Sequence, residues 1–204
     1  RPKLPEIFVP LYAQEPVKEE NKKRKNKKIA IDEKSRIIDL EILIAQNEYL
    51  LIEGQAGSGK TTVLKHLAYV QAGEENVPDG LSGYLPVLIF LKDLKSVLDE
   101  LDKKLISADD ILGNYFKSRG GILDADVLSD FSKAGKTLFL LDGLDEIGEN
   151  LRDKVVKAFS DFRCKFAGNK VVFSGRPHGL DGIANNLFGG KRVGDRKRSG
   201  LVGA

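Results

Sequence analysis

Gly54-Gln55-Ala56-Gly57-Ser58-Gly59-Lys60-Thr61 is the stretch that decides the fold, because it matches the pattern G-x-x-x-x-G-K-[ST]. It follows an apolar run at residues 49–52, which predicts a strand, and precedes residues 61–70, whose apolar side chains share one helical face. A glycine-rich loop between a strand and a helix directs backbone N–H groups and the positive helix end toward phosphate oxygens. The sequence therefore predicts a P-loop for a nucleoside triphosphate.

Side chains of this loop complete the predicted site. Lys60 is long enough to reach the β- and γ-phosphates, and Thr61 supplies a hydroxyl for Mg²⁺, a hard cation that prefers oxygen ligands. Thr62 is expected to hydrogen-bond the α-phosphate. The predicted nucleotide-binding residues are Gly54, Gln55, Ala56, Gly57, Ser58, Gly59, Lys60, Thr61 and Thr62.

A second informative stretch is Leu138-Phe139-Leu140-Leu141-Asp142, in which four apolar residues end in a carboxylate. Such a strand places its acid at the carboxyl edge of a parallel sheet, beside a nucleotide crevice. Asp142 is therefore the predicted partner of Mg²⁺ through a bound water, and Thr61 and Asp142 form the expected metal site. Asp145 and Glu146 follow within one turn, and one of them is expected to orient the attacking water. Glu146 is preferred because it is farther from the metal-linked position.

Apolar patterning around these motifs predicts alternating strands and helices. Continuous apolar runs predict buried strands over residues 86–91, 137–141 and 170–174, as parallel sheets require. Helical spacing predicts helices over residues 32–46, 61–70, 107–116, 127–131 and 155–166, the third of them opened by a Ser107/Asp110 capping box. This order indicates an α/β fold in three layers, with a mainly parallel sheet and helices on both faces.

Composition narrows the class of protein. Hydrophobic residues make up 41% of the 204 residues and charged residues 31%, which is typical of a globular domain and disfavours global disorder. No apolar run approaches the length of a membrane span. The single cysteine, Cys164, cannot form an internal disulfide, so a reducing, cytoplasmic location is expected. Helical geometry places Cys164 opposite the apolar face, as an incidental free thiol.

The N-terminal residues 1–31 differ from the rest and are expected to form an extension. Residues 1–30 contain nine Lys/Arg and four Asp/Glu, although the whole chain has a net charge of only +3. A weak edge strand is predicted over residues 7–12, where Pro10 limits pairing. Residues 18–28 (KEENKKRKNKK) predict an exposed basic loop. Since no aromatic residues interleave there, nucleic acid is a less favoured partner.

The combination GQAGSGKTT (54–62) and LFLLDGLDEI (138–147) resembles a NACHT domain of the STAND class of P-loop NTPases, the NLR-like signalling ATPases, in a bacterial-type version. In that family a small residue follows the Mg²⁺-linked acid and two acids come shortly after it, and Gly143, Asp145 and Glu146 match them. VVFSGRP (171–177) resembles the family's sensor strand, whose arginine is expected to contact the γ-phosphate. Arg176 is the matching residue.

The resemblance covers roughly residues 32–180 and implies a function. It implies ATP or ADP bound with Mg²⁺, slow hydrolysis, and a switch that couples the nucleotide state to self-association. The expected catalytic residues are Lys60, Asp142, Glu146, Asp145 and Arg176. A NACHT-like domain over residues 32–204 is expected to end before the family's small helical domain and winged helix.

Two other functions remain open on the sequence. One is an ATPase motor stimulated by nucleic acid, for which residues 18–28 would supply the basic contact. The other is a scaffold that binds nucleotide without hydrolysing it. The sequence lacks an N-K-x-D guanine motif, which favours ATP over GTP, and no membrane partner is expected.

Overall fold

The computed structural model of the chain describes residues 12–15, 36–73, 77–94, 106–120, 124–176 and 201–203. Within these ranges the strands are β1 (Tyr12–Glu15), β2 (Arg36–Asp39), β3 (Tyr49–Glu53), β4 (Leu85–Phe90), β5 (Thr137–Asp142), β6 (Lys170–Gly175) and β7 (Leu201–Gly203). The α-helices are α1 (Leu40–Gln46), α2 (Lys60–Gly73), α3 (Ala108–Ser118), α4 (Ala125–Lys133) and α5 (Glu149–Lys165). Short 3-10 helices follow β4 at Leu91–Leu94 and β5 at Leu144–Glu146. None of these helices combines the length and apolar character that a membrane crossing needs.

The described strands form one sheet in the order β2-β1-β7-β3-β6-β5-β4. The four strands from β3 to β4 are all parallel to their neighbours, and β7 is parallel to β3. Only β1 runs antiparallel, to both β2 and β7. Parallel strands end at the same edge, so the segments that follow β3, β5 and β6 meet there.

Alternating side chains along the central strands build a core on each face of the sheet. In β5, Phe139 and Leu141 pack into one core and Leu138 and Leu140 into the other. Helices α3 and α5 cover the first face through residues such as Tyr115 and Phe159, whereas α1 and α2 cover the second. The three-layer α/β fold predicted from the sequence is confirmed.

Several predicted helices form for the local reasons that the sequence suggests. The capping box of α3 is present, since Ser107 Oγ accepts from the Asp110 N–H (3.1 Å) and Asp110 Oδ2 accepts from the Ser107 N–H (3.0 Å). The predicted helix around residues 127–131 is α4, which begins after the N-cap residue Asp124. Cys164 is exposed on α5, as its position on the helical wheel predicts.

Other predicted boundaries were wrong. Residues 36–39 form β2 rather than the start of a helix, because the β-branched pair Ile37 and Ile38 lies in register with β1. The predicted run 86–91 ends one residue early, at Phe90, and β4 is only partly buried because it lies at the end of the sheet.

The predicted edge strand also lies elsewhere. The described strand β1 overlaps the predicted range 7–12 only at Tyr12, and it lies between β2 and β7 rather than at the edge. Residues 7–11 and the basic run 18–28 fall outside the described residues.

A buried asparagine sets the register of β5 and β6 at their amino ends. Asn169 Oδ1 accepts from the Thr137 N–H (2.8 Å), and Asn169 Nδ2 donates to the carbonyls of Ser132 and Phe166 (2.8 Å each). Asn169 is fully buried. Because β5 and β6 are paired in parallel, the register set here places Asp142 beside Ser174 at the opposite edge.

Replacing Asn169 by Ala is expected to destabilise the fold, because the buried Thr137 N–H and two carbonyls lose their partner. Each buried polar group left unsatisfied costs roughly 1 to 3 kcal/mol. Urea denaturation followed by circular dichroism should therefore show a clearly lower midpoint. Asn114→Ala is the control, since the Asn114 side chain donates only to a carbonyl within its own exposed helix turn. Equal midpoints for the two variants would show that the buried network does not carry this stability.

Candidate functional site

The P-loop leaves the end of β3 and enters α2 at Lys60. Gly57 and Gly59 have positive φ angles of 80° and 89°, in a region that residues with a Cβ rarely adopt. The Gly54 N–H donates to the Gly175 carbonyl (3.1 Å), which ties the start of the loop to the end of β6. In the first turn of α2 the N–H groups before Val63 have no intrahelical acceptor, so they remain available for an anion.

A small pocket of about 200 Å³ lies against this loop and is lined by residues 57–62. Lys60 Nζ donates across the loop to the carbonyls of Gly54 (2.6 Å) and Gln55 (3.0 Å) and to Ser58 Oγ (3.2 Å). Its ammonium group is thus held within the loop by oxygen atoms, where phosphate oxygens can take their place as acceptors.

The charged groups that surround Lys60 come from the segments that meet at this edge of the sheet. Burial lowers the pKa of Lys60 below the ordinary lysine value. The carboxylates of Asp145 and Asp142 oppose this effect and raise its pKa, whereas the nearby positive charge of Arg176 lowers it further. Asp142, Asp145 and Arg176 are therefore each close enough to Lys60 to act on its charge.

Asp142 is fixed by hydroxyl groups on both of its oxygens. Thr61 Oγ1 donates to Asp142 Oδ2 (2.7 Å), and the Ser174 hydroxyl donates to Asp142 Oδ1. Ser174 Oγ in turn accepts from the Gly143 N–H (3.2 Å). The P-loop helix, β5 and β6 therefore converge on one carboxylate. Asp142 is only 9% exposed.

The oxygen atoms of Thr61 and Asp142 fit a magnesium ion. A hydroxyl has one hydrogen and two lone pairs, so Thr61 can donate to Asp142 and still offer an oxygen to a cation. Mg²⁺ prefers such hard oxygen ligands, and it is usually bound by one or two protein groups together with phosphates and waters. Within the described ranges, no group of three or more His, Cys, Asp or Glu side chains is arranged to hold a metal ion by itself.

Asp145 is paired with Arg176. Asp145 Oδ1 accepts from the backbone N–H of Arg176 (3.0 Å), and Arg176 Nε lies 3.4 Å from Asp145 Oδ2. Arg152 of α5 supports the same turn by donating to the carbonyls of Ile147 (2.9 Å) and Asp145 (3.2 Å). The Arg176 side chain is still 55% exposed, so it remains accessible to a ligand.

Glu146 lies against the glycine that follows Asp142. Gly143 has φ +82°, a backbone angle that favours glycine, and a Cβ added there would lie 3.1 Å from the carboxyl carbon of Glu146. The Glu146 N–H donates to the Gly143 carbonyl (2.9 Å), which closes the turn. Glu146 then lines a cavity of about 320 Å³ together with Thr61 and Asp142.

The family model for the NACHT domain matches residues 48–188, which is more than half of the chain and contains the whole site described above. The chain belongs to the NACHT domain family. NACHT domains are P-loop NTPases, so this chain is a nucleotide-binding NTPase in general class. A search of curated proteins found no match to the sequence.

Most of the residues singled out in the sequence meet in this NACHT domain. Lys60, Thr61, Asp142, Asp145 and Arg176 interact directly or through their charges. Glu146 borders the same cavity as Thr61 and Asp142, and Thr62 lines the P-loop pocket.

Ser174 and Arg152 were missed from the sequence. A signal for Ser174 was present, because it is the last polar residue of a buried strand parallel to the one that ends in Asp142. Arg152 gave no signal, since its contacts depend on how α5 follows the turn at residues 144–147.

Ser174→Ala is expected to weaken Mg²⁺-dependent nucleotide binding, because Asp142 loses a hydrogen bond and the Gly143 N–H loses its acceptor. Partners that orient a metal-binding group typically contribute about tenfold or more to metal affinity. Calorimetric titration of nucleotide with Mg²⁺ measures the change, and Ser160→Ala on α5 is the matched control. An affinity unchanged by Ser174→Ala would mean that the serine does not position Asp142.

Proposed function

We propose that this NACHT domain binds ATP with Mg²⁺, hydrolyses it slowly, and works as a switch whose nucleotide state controls self-association. The observation that carries the proposal is the 2.7 Å hydrogen bond between Thr61 Oγ1 and Asp142 Oδ2, which joins the P-loop helix to the acidic end of β5. This contact brings the two predicted metal-binding groups to one point beside the phosphate pocket.

Binding in this proposal uses the P-loop and Lys60. The N–H groups at the start of α2 and the positive helix end attract the phosphates. Lys60, held by the Gly54 and Gln55 carbonyls, exchanges these acceptors for β- and γ-phosphate oxygens. The phosphate oxygens are charged acceptors, whereas the carbonyl acceptors that they replace are neutral, so the exchange favours the bound nucleotide.

Hydrolysis in this proposal uses Glu146 rather than Asp145 to orient water. The Asp145 carboxylate is already engaged by the backbone and side chain of Arg176, whereas Glu146 is exposed and borders the cavity beside Asp142. Bound Mg²⁺ would neutralise charge on the β- and γ-phosphates. Thr61 and Asp142 position the phosphate end of the nucleotide, and Glu146 accepts a hydrogen bond from the attacking water.

Turnover is expected to be slow because the site is open. Efficient phosphoryl transfer needs exclusion of bulk water and a cation held against the transferring group. The Arg176 side chain is more than half exposed and is paired with Asp145, so part of its charge is already compensated.

The switch rests on competition for Arg176. A γ-phosphate placed near Lys60 offers Arg176 a second anion, and Asp145 is the group it would leave. Because Asp145 belongs to the turn that Arg152 fastens to α5, a change in this ion pair can be transmitted to α5. ADP lacks the competing phosphate, so it favours the Asp145–Arg176 pair. ATP rather than GTP is proposed because the sequence lacks the guanine motif.

Glu146→Gln is expected to leave ATP affinity within about twofold of wild type while slowing single-turnover hydrolysis. Loss of a positioned acid or base typically lowers the rate by about a hundredfold or more. Equilibrium binding and quenched single-turnover assays measure the two quantities. Glu149→Gln, an exposed acid in the first turn of α5, is the matched control.

Three results would argue against this function. If Glu146→Gln hydrolysed ATP at the wild-type rate, Glu146 would have no part in the mechanism. Binding without detectable hydrolysis by the wild type would favour a nucleotide-holding scaffold. Stimulation of hydrolysis by DNA or RNA that weakens at higher salt would favour a motor on nucleic acid. The self-association arm is tested by sedimentation, which should show larger species with a non-hydrolysable ATP analogue than with ADP.

A further inference from the structure

The cavity of about 320 Å³ beside Asp142 has two chemically different halves. One half is formed by Thr61, Asp142 and Glu146, the groups assigned above to the metal and the attacking water. The other half contains the carboxylate of Asp93 but is otherwise basic and aromatic, and it is lined by Lys65, Lys92, Arg119 and the Phe90 ring. None of these four residues belongs to the P-loop.

The basic half lies next to the γ-phosphate position by two independent relations. Phe90 is the register partner of Asp142 across the β4–β5 pair, so its strand position is about 5 Å away. Lys65 lies four residues after Thr61 on α2, which places both side chains on the same helical face. The cations therefore border the place where phosphate is cleaved.

Aromatic rings contact two of these cations, and the charge of one of them, Arg119, is partly compensated by a carboxylate. Lys65 Nζ lies 5.3 Å from the centroid of the Phe90 ring, and the Arg119 guanidinium lies 5.9 Å from the same centroid and 5.2 Å from that of Tyr115. Asp93 pairs with Arg119. In the part of the chain that the structure describes, Lys65 and Lys92 form no ion pair, so their charges are available to an anion.

Among the described residues that line them, the P-loop pocket and this cavity share only Thr61. After cleavage the P-loop still holds ADP, so this cavity offers inorganic phosphate a route that ADP does not occupy. Hydrolysis joins a water oxygen to the γ-phosphorus and breaks its bond to the bridging oxygen, which stays on ADP. The proton from water passes through Glu146 to solvent, and hydrogen phosphate, an anion, is left beside Lys65.

We propose that the basic half of this cavity, formed by Lys65, Lys92 and Arg119, binds the inorganic phosphate released by hydrolysis and is its way out of the site. This proposal rests on the proposed function. It adds a second anion site that is separate from the P-loop. Lys65 receives the phosphate one helical turn from Thr61, and Lys92, which is exposed on the 3-10 helix after β4, passes it to solvent.

The test is calorimetric titration of inorganic phosphate into the protein saturated with ADP and Mg²⁺. Wild type should bind phosphate, and the double variant Lys65→Gln/Lys92→Gln should bind it about tenfold or more weakly, because two charge-assisted contacts are lost. The matched control is Lys133→Gln/Lys136→Gln. It removes the same charge at the amino end of β5, where Lys136 lies over the Tyr84 ring (4.6 Å).

The affinity for ADP with Mg²⁺ should be the same in all three proteins, and this measurement separates the two proposals. Two results would overturn the phosphate site alone while ADP binding is intact. One is a wild type that does not bind phosphate, and the other is a phosphate affinity that is equal in wild type and in the Lys65→Gln/Lys92→Gln variant. Absence of ADP binding by the wild type would overturn the proposed function and the phosphate site with it. If the double variant does not fold, Lys92→Gln alone serves, since Lys92 is exposed, and it should weaken phosphate binding several-fold.

Discussion

The hydrogen bond from Thr61 to Asp142 is the contact on which the rest of the site depends. It links the first turn of α2 to the end of β5, and the Ser174 hydroxyl extends the link to β6. A buried carboxylate is stable only when its oxygens are hydrogen-bonded or paired with a cation, and here hydroxyl groups bond both of them. These hydroxyl groups are also the groups that a magnesium ion at Asp142 would use as ligands or displace.

Parts of the fold far from the Thr61–Asp142 contact hold its residues in place. Alternating side chains in β3, β5 and β6 fill a core on each face, so a shift of one residue would move every side chain of a strand from one core into the other. Asn169 fixes β5 and β6 at one edge, and Asp142 and Ser174 meet at the other. The left-handed Gly143 then turns the chain so that Asp145 meets Arg176 and Glu146 faces the cavity. The register that Asn169 sets at one edge of the sheet thus determines which side chains meet at the other edge.

The sequence predicts the three-layer fold and the central parallel strands because hydrophobic periodicity and the P-loop pattern are local signals. It predicts which acid ends a strand, so Asp142 could be found before the structure. It does not predict the partner of each side chain. In the sequence, Asp145 is an alternative to Glu146 for orienting the water. Only the structure shows that Arg176, which follows β6, is bonded to the Asp145 carboxylate. The strand at residues 36–39 was missed because pairing with β1 decides it, and Ile37 and Ile38 fit a helix equally well by spacing.

The most direct test of the shared Thr61–Asp142 site is the dependence of ATP affinity on Mg²⁺ concentration in wild type and Asp142→Asn. Asparagine keeps the size of the side chain and an acceptor for Thr61 but removes the charge that attracts a cation. Equilibrium titrations should show wild-type affinity that rises with Mg²⁺ and Asp142→Asn affinity that is nearly independent of it. Circular dichroism should confirm that both proteins are folded. The same Mg²⁺ dependence in both proteins would contradict a metal site at Asp142.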